Sequence, residues 1–168
     1  IYVLLSLKKD YIMTSLIKGV VVMGRIVVIT GATSGYGLAA AKKFKENGDT
    51  VIVASRHAEK VKQTVDQYSF DCGFSVDVTS YSQWLELKDY VIDKFGKIDL
   101  LVNNAGGGVA IKETTELEPA EIDHILKLNL NSVIYGSKLF GTVMKHQRSG
   151  MIINISSVCA RHCWGGWS

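Results

Sequence analysis

A glycine-rich turn, Thr30-Gly31-Ala32-Thr33-Ser34-Gly35-Tyr36-Gly37, is the most informative chemical feature of the sequence. It lies between a β-branched run at 25–30 and a helical pattern at 36–47. Gly31 permits a tight turn, Gly35 lets the backbone approach a pyrophosphate, and Gly37 lets the helix pack close to the strand. The helix N-terminus then offers free N–H groups and the positive end of its dipole to phosphates. The turn therefore predicts a dinucleotide site.

Arg56 indicates which dinucleotide would bind. A free ribose 2′-hydroxyl is commonly held by a carboxylate at the end of the second strand. Here Ser55 occupies that place, Arg56 and His57 follow, and no acid occurs until Glu59. A guanidinium suits a 2′-phosphate, to which it donates planar, charge-assisted hydrogen bonds. We therefore favour NADP(H) over NAD(H), the alternative being that Arg56 is a solvated surface residue.

Further polar residues follow the later strands. Asp77 comes after the third strand, an Asn-Asn-Ala-Gly block at 103–106 ends the fourth, and Ser157 follows the fifth. Asn129 lies in a long helical stretch. Ligands of open α/β sheets bind at the carboxyl ends of the strands, so these positions favour a shared site. Taken singly, Asp77 could merely cap the turn into the next helix, and Asn129 could be an ordinary polar helix residue.

The elements that must position these residues alternate between strand and helix, which predicts an α/β fold with a parallel sheet covered on both faces. The expected strands are apolar on both faces, as buried parallel strands are. They lie at 25–30, 50–55, 73–76, 98–103 and 150–156. The expected helices lie at 36–47, 58–68, 81–95 and 119–145, and a break near 129–131 could divide the last of them.

Length and charge exclude several classes of protein. A chain of 168 residues suits one domain, and a net charge of +3 with dispersed basic residues gives no footprint for nucleic acid. Three cysteines, Cys72, Cys159 and Cys163, have no framework spacing, so we interpret them as reduced thiols in the cytoplasm. Cys159, His162 and Cys163 lack a second ligand pair, and we expect no metal site.

The first 22 residues are set apart from this pattern. Charged residues at 8–10 interrupt the initial apolar run before it could span a membrane, and no clear signal-peptide cleavage site follows. We expect residues 1–22 to be extraneous or poorly ordered and residues 23–168 to form the nucleotide-binding domain. A short membrane-surface anchor at 1–22 is the alternative interpretation.

The T-G-x-x-x-G-x-G turn, the N-N-A-G block, Asp77, Asn129 and Ser157 occur together in an order that resembles the short-chain dehydrogenase/reductase family. The resemblance covers 25–157 and implies a Rossmann-like, doubly wound sheet. It implies that Asp77 hydrogen-bonds the adenine amino group, that Asn129 helps to hold a proton-relay water, and that Ser157 hydrogen-bonds the substrate oxygen. The expected cofactor-binding residues are Gly31, Thr33, Ser34, Gly35, Tyr36, Gly37, Arg56, Asp77, Val78, Asn104, Ala105 and Gly106.

The implied chemistry is hydride transfer between a nicotinamide and a small carbonyl or alcohol substrate, with a tyrosine as general acid or base and a lysine four residues later. That Y-x-x-x-K motif normally begins about 13 residues after the serine, beyond Ser168. Tyr90 and Lys94 have the right spacing, but they precede the fourth strand and are interpreted as helix surface. Tyr135 and Lys138 are rejected because they are three residues apart.

The sequence is therefore expected to be a C-terminally truncated member, inactive alone, with about five of the seven strands of the family sheet. Its fifth strand should then be an exposed edge. The resemblance implies a homo-oligomeric parent protein, while the substrate and the oligomeric state of the fragment stay open. The alternative is a catalytically dead nucleotide-binding module or a degenerate gene product. Reading the source DNA past codon 168 would separate the two.

Overall fold

A computed structural model describes residues 24–108 and 112–158 of the chain. The predictions for residues 1–22 and for Cys159, His162 and Cys163 lie outside the described residues. The strands are β1 (Ile26–Thr30), β2 (Thr50–Ser55), β3 (Cys72–Ser75), β4 (Leu100–Asn103) and β5 (Met151–Asn154). The helices are α1 (Gly35–Glu46), α2 (Ala58–Tyr68), α3 (Tyr81–Phe95), α4 (Pro119–Leu126) and α5 (Ser132–Gln147).

The described strands form one parallel sheet in the order β3-β2-β1-β4-β5. The chain runs from β1 outwards to β3, then crosses back to β4 on the other side of β1. The order therefore reverses between β1 and β4, and ligands of such sheets bind outside the carboxyl ends of the strands at this switch point. This architecture confirms the predicted α/β, Rossmann-like class.

Alternate residues of the strands enter two separate cores, one on each face of the sheet. Val27 and Ile29 of β1 pack with Phe44 of α1 on one face. Val28 packs with Trp84 of α3, among others, on the opposite face. Because both faces are covered, the strands are continuously apolar rather than alternating, and all five residues of β1 are buried.

Several predicted strand boundaries differ from the structure by one or two residues, and two of these differences have a visible cause. β4 begins at Leu100 rather than at 98, since the side-chain amide of Gln147 binds both the N–H (3.0 Å) and the carbonyl (2.7 Å) of Ile98. β5 begins at Met151 because Gly150 has a φ of 144°, outside the strand region.

The long helical stretch at 119–147 is not broken, but its middle is wound differently. A π-helical turn, Lys127–Asn131, joins α4 directly to α5. Single π turns within α-helices occur frequently at functional sites, because the extra residue re-aims the side chains around it. This turn contains Asn129, one of the predicted site residues.

The edge at β5 and the outer face of α4 are less covered than the rest of the fold. β5 is the outermost described strand beyond β4, and its Met151 is 55% exposed. Large apolar side chains spaced four residues apart are also exposed along α4 and the helix that follows it, namely Ile122, Leu126, Leu130 and Ile134.

Within the described part of the chain, no helix combines the length and the apolar character needed to cross a bilayer.

Candidate nucleotide site

A cavity of about 500 Å³ opens at the carboxyl ends of β1 to β4. Its walls come from the glycine turn after β1, the segments that follow β2, β3 and β4, and one face of α4 and the π turn. All of the predicted cofactor-binding residues except Gly35 line it, namely Gly31, Thr33, Ser34, Tyr36, Gly37, Arg56, Asp77, Val78, Asn104, Ala105 and Gly106. The structure thus brings together residues that are up to 75 positions apart.

The glycine turn is fastened to the end of β4 by Thr30. The Thr30 hydroxyl oxygen, fully within the protein, accepts hydrogen bonds from the backbone N–H groups of Asn104 and Ala105, each at 3.0 Å. The Asn104 side-chain amide in turn donates to the Thr30 carbonyl at 2.9 Å. The sequence pattern predicts only that Thr30 ends a strand. The role of Thr30 in joining the two loops depends on its contacts with Asn104 and Ala105, which lie far away in the sequence.

Glycine is required at two places in this turn for different reasons. Gly31 has a φ of 67°, which favours glycine. A Cβ on Gly37 would fall against the Gly31 carbonyl oxygen and 2.5 Å from the side-chain nitrogen of Asn104. Gly37 therefore lets α1 begin in direct contact with the turn, which is the packing that the sequence predicted.

Basic groups form the wall of the cavity beside β2. Arg56, His57 and Lys60 all line it and are exposed to solvent. The Ser75 hydroxyl of β3 donates to the Arg56 carbonyl at 3.0 Å, which fixes the backbone from which the guanidinium extends. The Thr33 hydroxyl donates to the Ser55 hydroxyl at 3.2 Å, which joins the glycine turn to the end of β2.

Asp77 lines the cavity and also shapes the loop after β3. One of its carboxylate oxygens accepts hydrogen bonds from the backbone N–H (2.9 Å) and the hydroxyl (2.8 Å) of Thr79. Its own N–H donates to the side-chain carbonyl of Gln83 at 2.7 Å. The turn-capping interpretation of Asp77 therefore describes what one carboxylate oxygen does, and adenine recognition by the carboxylate stays a prediction.

The side chain of Asn129 is bonded to the loop after β4. Its amide nitrogen donates to the Gly107 carbonyl and its amide oxygen accepts from the Gly107 N–H, both at 2.9 Å. The same nitrogen also donates a hydrogen bond to the Ile125 carbonyl at 3.2 Å. Asn129 thus ties the π turn to the end of the N-N-A-G block, and it does not line the cavity.

We predict that replacing Asn129 with alanine loosens the loop at 106–108 without unfolding the sheet. Losing two hydrogen bonds to a backbone unit should cost about 1–3 kcal/mol locally, so the Gly107 amide should exchange with solvent about 5- to 150-fold faster. Hydrogen exchange read at Gly107 measures this. Lys127→Ala, an exposed change in the same π turn, is the control, and equal exchange of Gly107 in both variants would refute the tie.

Ser157 lies just beyond the end of β5, and a pair of asparagines sets the position of that strand. Asn103 and Asn154 are register partners, and the Asn103 amide donates to the Asn154 side-chain oxygen at 2.9 Å. Ile155 continues the pairing by donating its N–H to the Asn103 carbonyl at 2.9 Å. Ser157 is exposed and, like Asn129, is not among the residues that line the cavity. Its catalytic role stays a prediction.

Tyr90 and Lys94, which have the Y-x-x-x-K spacing, lie on α3 and away from the cavity. The Lys94 ammonium donates to the Tyr90 hydroxyl at 3.3 Å, and the Tyr90 ring packs 5.0 Å from that of Phe74. Burial raises the pKa of Tyr90, and its hydrogen bond with Cys72 raises it further. A tyrosine that serves as a general base needs a lowered pKa, so this environment is the opposite of the one required.

Sequence reasoning missed several residues on the cavity wall. Lys60, His124 and Leu128 line it from helices and are not among the predicted site residues. His124 and Leu128 are one turn apart, which places them on one side of the helix, but the same spacing occurs on any ordinary helix face. Among the described residues, no cluster of three or more metal-ligating side chains occurs, and Cys72 is a free, buried thiol.

Comparisons with known proteins agree on one family. The model of the short chain dehydrogenase family matches residues 25–168. An oxidoreductase of Botryotinia fuckeliana is 35% identical over 83% of this chain and 51% of its own length. An NADP-dependent (R)-specific alcohol dehydrogenase of Lentilactobacillus kefiri is 34% identical over 80% of this chain and 55% of its own length. The chain spans about half the length of the curated relatives it matches.

Solved structures also match the chain over about half of their own length. A short-chain dehydrogenase from Streptomyces avermitilis superimposes with a TM-score of 0.79 at 28% identity, covering 85% of this chain and 53% of that one. A variant of actinorhodin polyketide ketoreductase, crystallised with NADPH, gives a TM-score of 0.79 at 28% identity and covers 84% and 56%. The five strands described here thus occupy the corresponding part of a larger fold.

Proposed function

The chain belongs to the short chain dehydrogenase family, and from this premise we propose that the protein is an NADP-dependent oxidoreductase. It transfers hydride between the nicotinamide and a small-molecule carbonyl or alcohol. The observation that carries the proposal is the cavity itself, in which a glycine turn for phosphates and a cationic wall beside β2 face the same space. The experiment that tests it is a pair of binding titrations of this chain with NADPH and NADH.

The residues on the cavity wall fit a nicotinamide dinucleotide. The turn from Gly31 to Gly37 would hold the pyrophosphate, since Gly31, Ser34 and Gly37 line the cavity and α1 begins at this turn. Asp77 and Val78 would hold the adenine, and Asn104 to Gly106 would border the nicotinamide side. When bound, the cofactor supplies the hydride, and the protein supplies orientation and hydrogen bonds to the substrate oxygen, for which we propose Ser157.

The preference for NADP over NAD rests on charge. Among the described residues that line the cavity, Arg56 and Lys60 carry fixed positive charges, His57 lies between them, and Asp77 is the one acid. The end of β2 carries Ser55, where a carboxylate would hold the hydroxyls of an unphosphorylated ribose. Two similar proteins support the same preference, since one is an NADP-dependent alcohol dehydrogenase and the other a ketoreductase crystallised with NADPH.

We predict that Ser55→Asp reverses the preference. A carboxylate at about 5 Å from a 2′-phosphate costs about 3 kcal/mol at an effective dielectric constant of about 20, and solvent at this half-buried position reduces that cost. NADPH should therefore bind about 10- to 100-fold more weakly, while NADH binds as well as before or better. Titration calorimetry with both cofactors measures the change.

Ser55→Asn is the matched control, because asparagine has the size of aspartate without its charge. It should weaken NADPH binding far less than Ser55→Asp does, although both replace the hydroxyl that Thr33 meets. Equal losses in the two variants would mean that shape rather than charge governs this position. The cofactor preference would then need another explanation.

A nucleotide-binding protein without turnover is the second candidate. The observation that favours it is that Tyr90 and Lys94, the pair with catalytic spacing in the described residues, lie outside the cavity. Sequencing the gene past codon 168 tests it. A tyrosine at the second following codon and a lysine four codons later would support the oxidoreductase, and a stop codon without them would support the second candidate.

Two further properties are proposed with the function. We propose a reducing, cytoplasmic location, supported by the buried free thiol of Cys72, which has no disulfide partner among the described residues. We propose a homo-oligomeric whole protein, supported by the exposed apolar side chains along α4 and the π turn. Light scattering of the complete gene product would test the second of these.

A further inference from the structure

The wall of the cavity beside β2 contains a second basic residue, Lys60, in addition to Arg56, which the sequence predicted. Arg56 follows the last residue of β2, and Lys60 lies in the first turn of α2, four positions later. Both line the same cavity, although Lys60 belongs to a helix whose other charged residues do not line it. The turn between strand and helix therefore brings two basic residues to the wall of one cavity.

The neighbouring charges leave the Lys60 ammonium without a competing acid on that helix turn. Glu59 precedes it, but the Glu59 carboxylate accepts a hydrogen bond from the Gln63 side chain at 3.2 Å and does not line the cavity. The backbone of Lys60 is held in the helix, where its carbonyl accepts from the Thr64 hydroxyl at 2.7 Å. Helix α2 thus presents Lys60 to the cavity and Glu59 to solvent.

We propose that Lys60 is a second specificity-determining residue, which binds the ribose 2′-phosphate together with Arg56. This inference rests on the proposed NADP-dependent function. A 2′-phosphate carries more than one negative charge, so a single guanidinium leaves part of that charge unpaired. Arg56 offers a planar pair of donors that fixes the orientation of the phosphate, and Lys60 adds a compact point charge on a flexible stem.

The test compares Lys60→Ala with Lys62→Ala. Lys62 is exposed on the same helix but does not line the cavity, so the two variants lose the same side chain and differ in its position. Each is titrated with 2′,5′-ADP and with 5′-AMP, which differ only in the 2′-phosphate, and then with NADPH and NADH. Lys60→Ala should bind 2′,5′-ADP and NADPH about 5- to 20-fold more weakly and should leave 5′-AMP and NADH unchanged.

Lys60→Arg keeps a positive charge at the site and should restore most of the affinity for 2′,5′-ADP. Equal binding of 2′,5′-ADP by Lys60→Ala and Lys62→Ala would overturn the inference while leaving the function intact, provided that the unchanged protein prefers NADPH. A loss of 5′-AMP affinity as large as that of 2′,5′-ADP would also overturn it. Failure of the unchanged protein to prefer NADPH would instead overturn the cofactor preference on which the inference depends.

Discussion

Replacing Gly37 with alanine is expected to weaken NADPH binding by about 10- to 100-fold and to lower the free energy of unfolding by about 1–3 kcal/mol. The added Cβ would meet the Gly31 carbonyl oxygen and the Asn104 side-chain nitrogen at distances that require these groups to move. Asn104 also binds the Thr30 carbonyl, so its displacement would spread to the junction between the glycine turn and β4. Calorimetric titration with NADPH and chemical denaturation measure the two effects.

Gly141→Ala is the control for this substitution. Gly141 lies within α5, and a Cβ there would make an ordinary contact with Ile152 at 3.7 Å. Alanine is the better helix former by about 1 kcal/mol, so this variant should be as stable as the unchanged protein or more so. It should also bind NADPH normally. If Gly37→Ala bound NADPH as tightly as Gly141→Ala, the contact between α1 and the turn would not be needed for the nucleotide site.

The sequence predicted the sheet because its signals are local. β2, α2 and α3 occur at the residues where β-branched and helical patterns place them. The start of β4 depends instead on a distant partner, because Gln147 binds Ile98 from 49 positions away. The π turn also has a partner distant in sequence, since the hydrogen bonds between Asn129 and Gly107 span 22 positions. Local periodicity contains no record of such contacts.

The candidate site was predictable where a backbone requirement selects the residue type. Gly31 needs a positive φ and Gly37 needs the absence of a Cβ, so both leave a trace in the sequence. Lys60 and His124 leave none, because a polar residue on a helix has the same appearance in the sequence whether it faces solvent or a cavity. Only the packing of α2 and α4 around the strand ends shows that these two line the cavity.

A polypeptide of residues 1–168 alone is expected to bind NADPH but to reduce carbonyl substrates at least about 10²- to 10⁴-fold more slowly than a complete family member. The resemblance assigns proton transfer to a tyrosine that follows Ser157, and no tyrosine follows Ser157 within these residues. Tyr90, which has a lysine four residues later, has a raised pKa and lies outside the cavity. Loss of NADPH absorbance with a panel of ketones and aldehydes measures turnover, and calorimetry measures binding.

Two controls accompany this measurement of turnover. The (R)-specific alcohol dehydrogenase of Lentilactobacillus kefiri, assayed in parallel, shows that the assay detects turnover by a relative. Among the described tyrosines, Tyr36 alone lines the cavity, so Tyr36→Phe removes the one phenol that could substitute as a proton donor there. Substrate-dependent oxidation of NADPH at the rate of the relative would contradict the prediction. If Tyr36→Phe then abolished that activity, the proton would come from the glycine turn rather than from a residue beyond Ser157, and the catalytic assignment carried by the resemblance would have to be replaced.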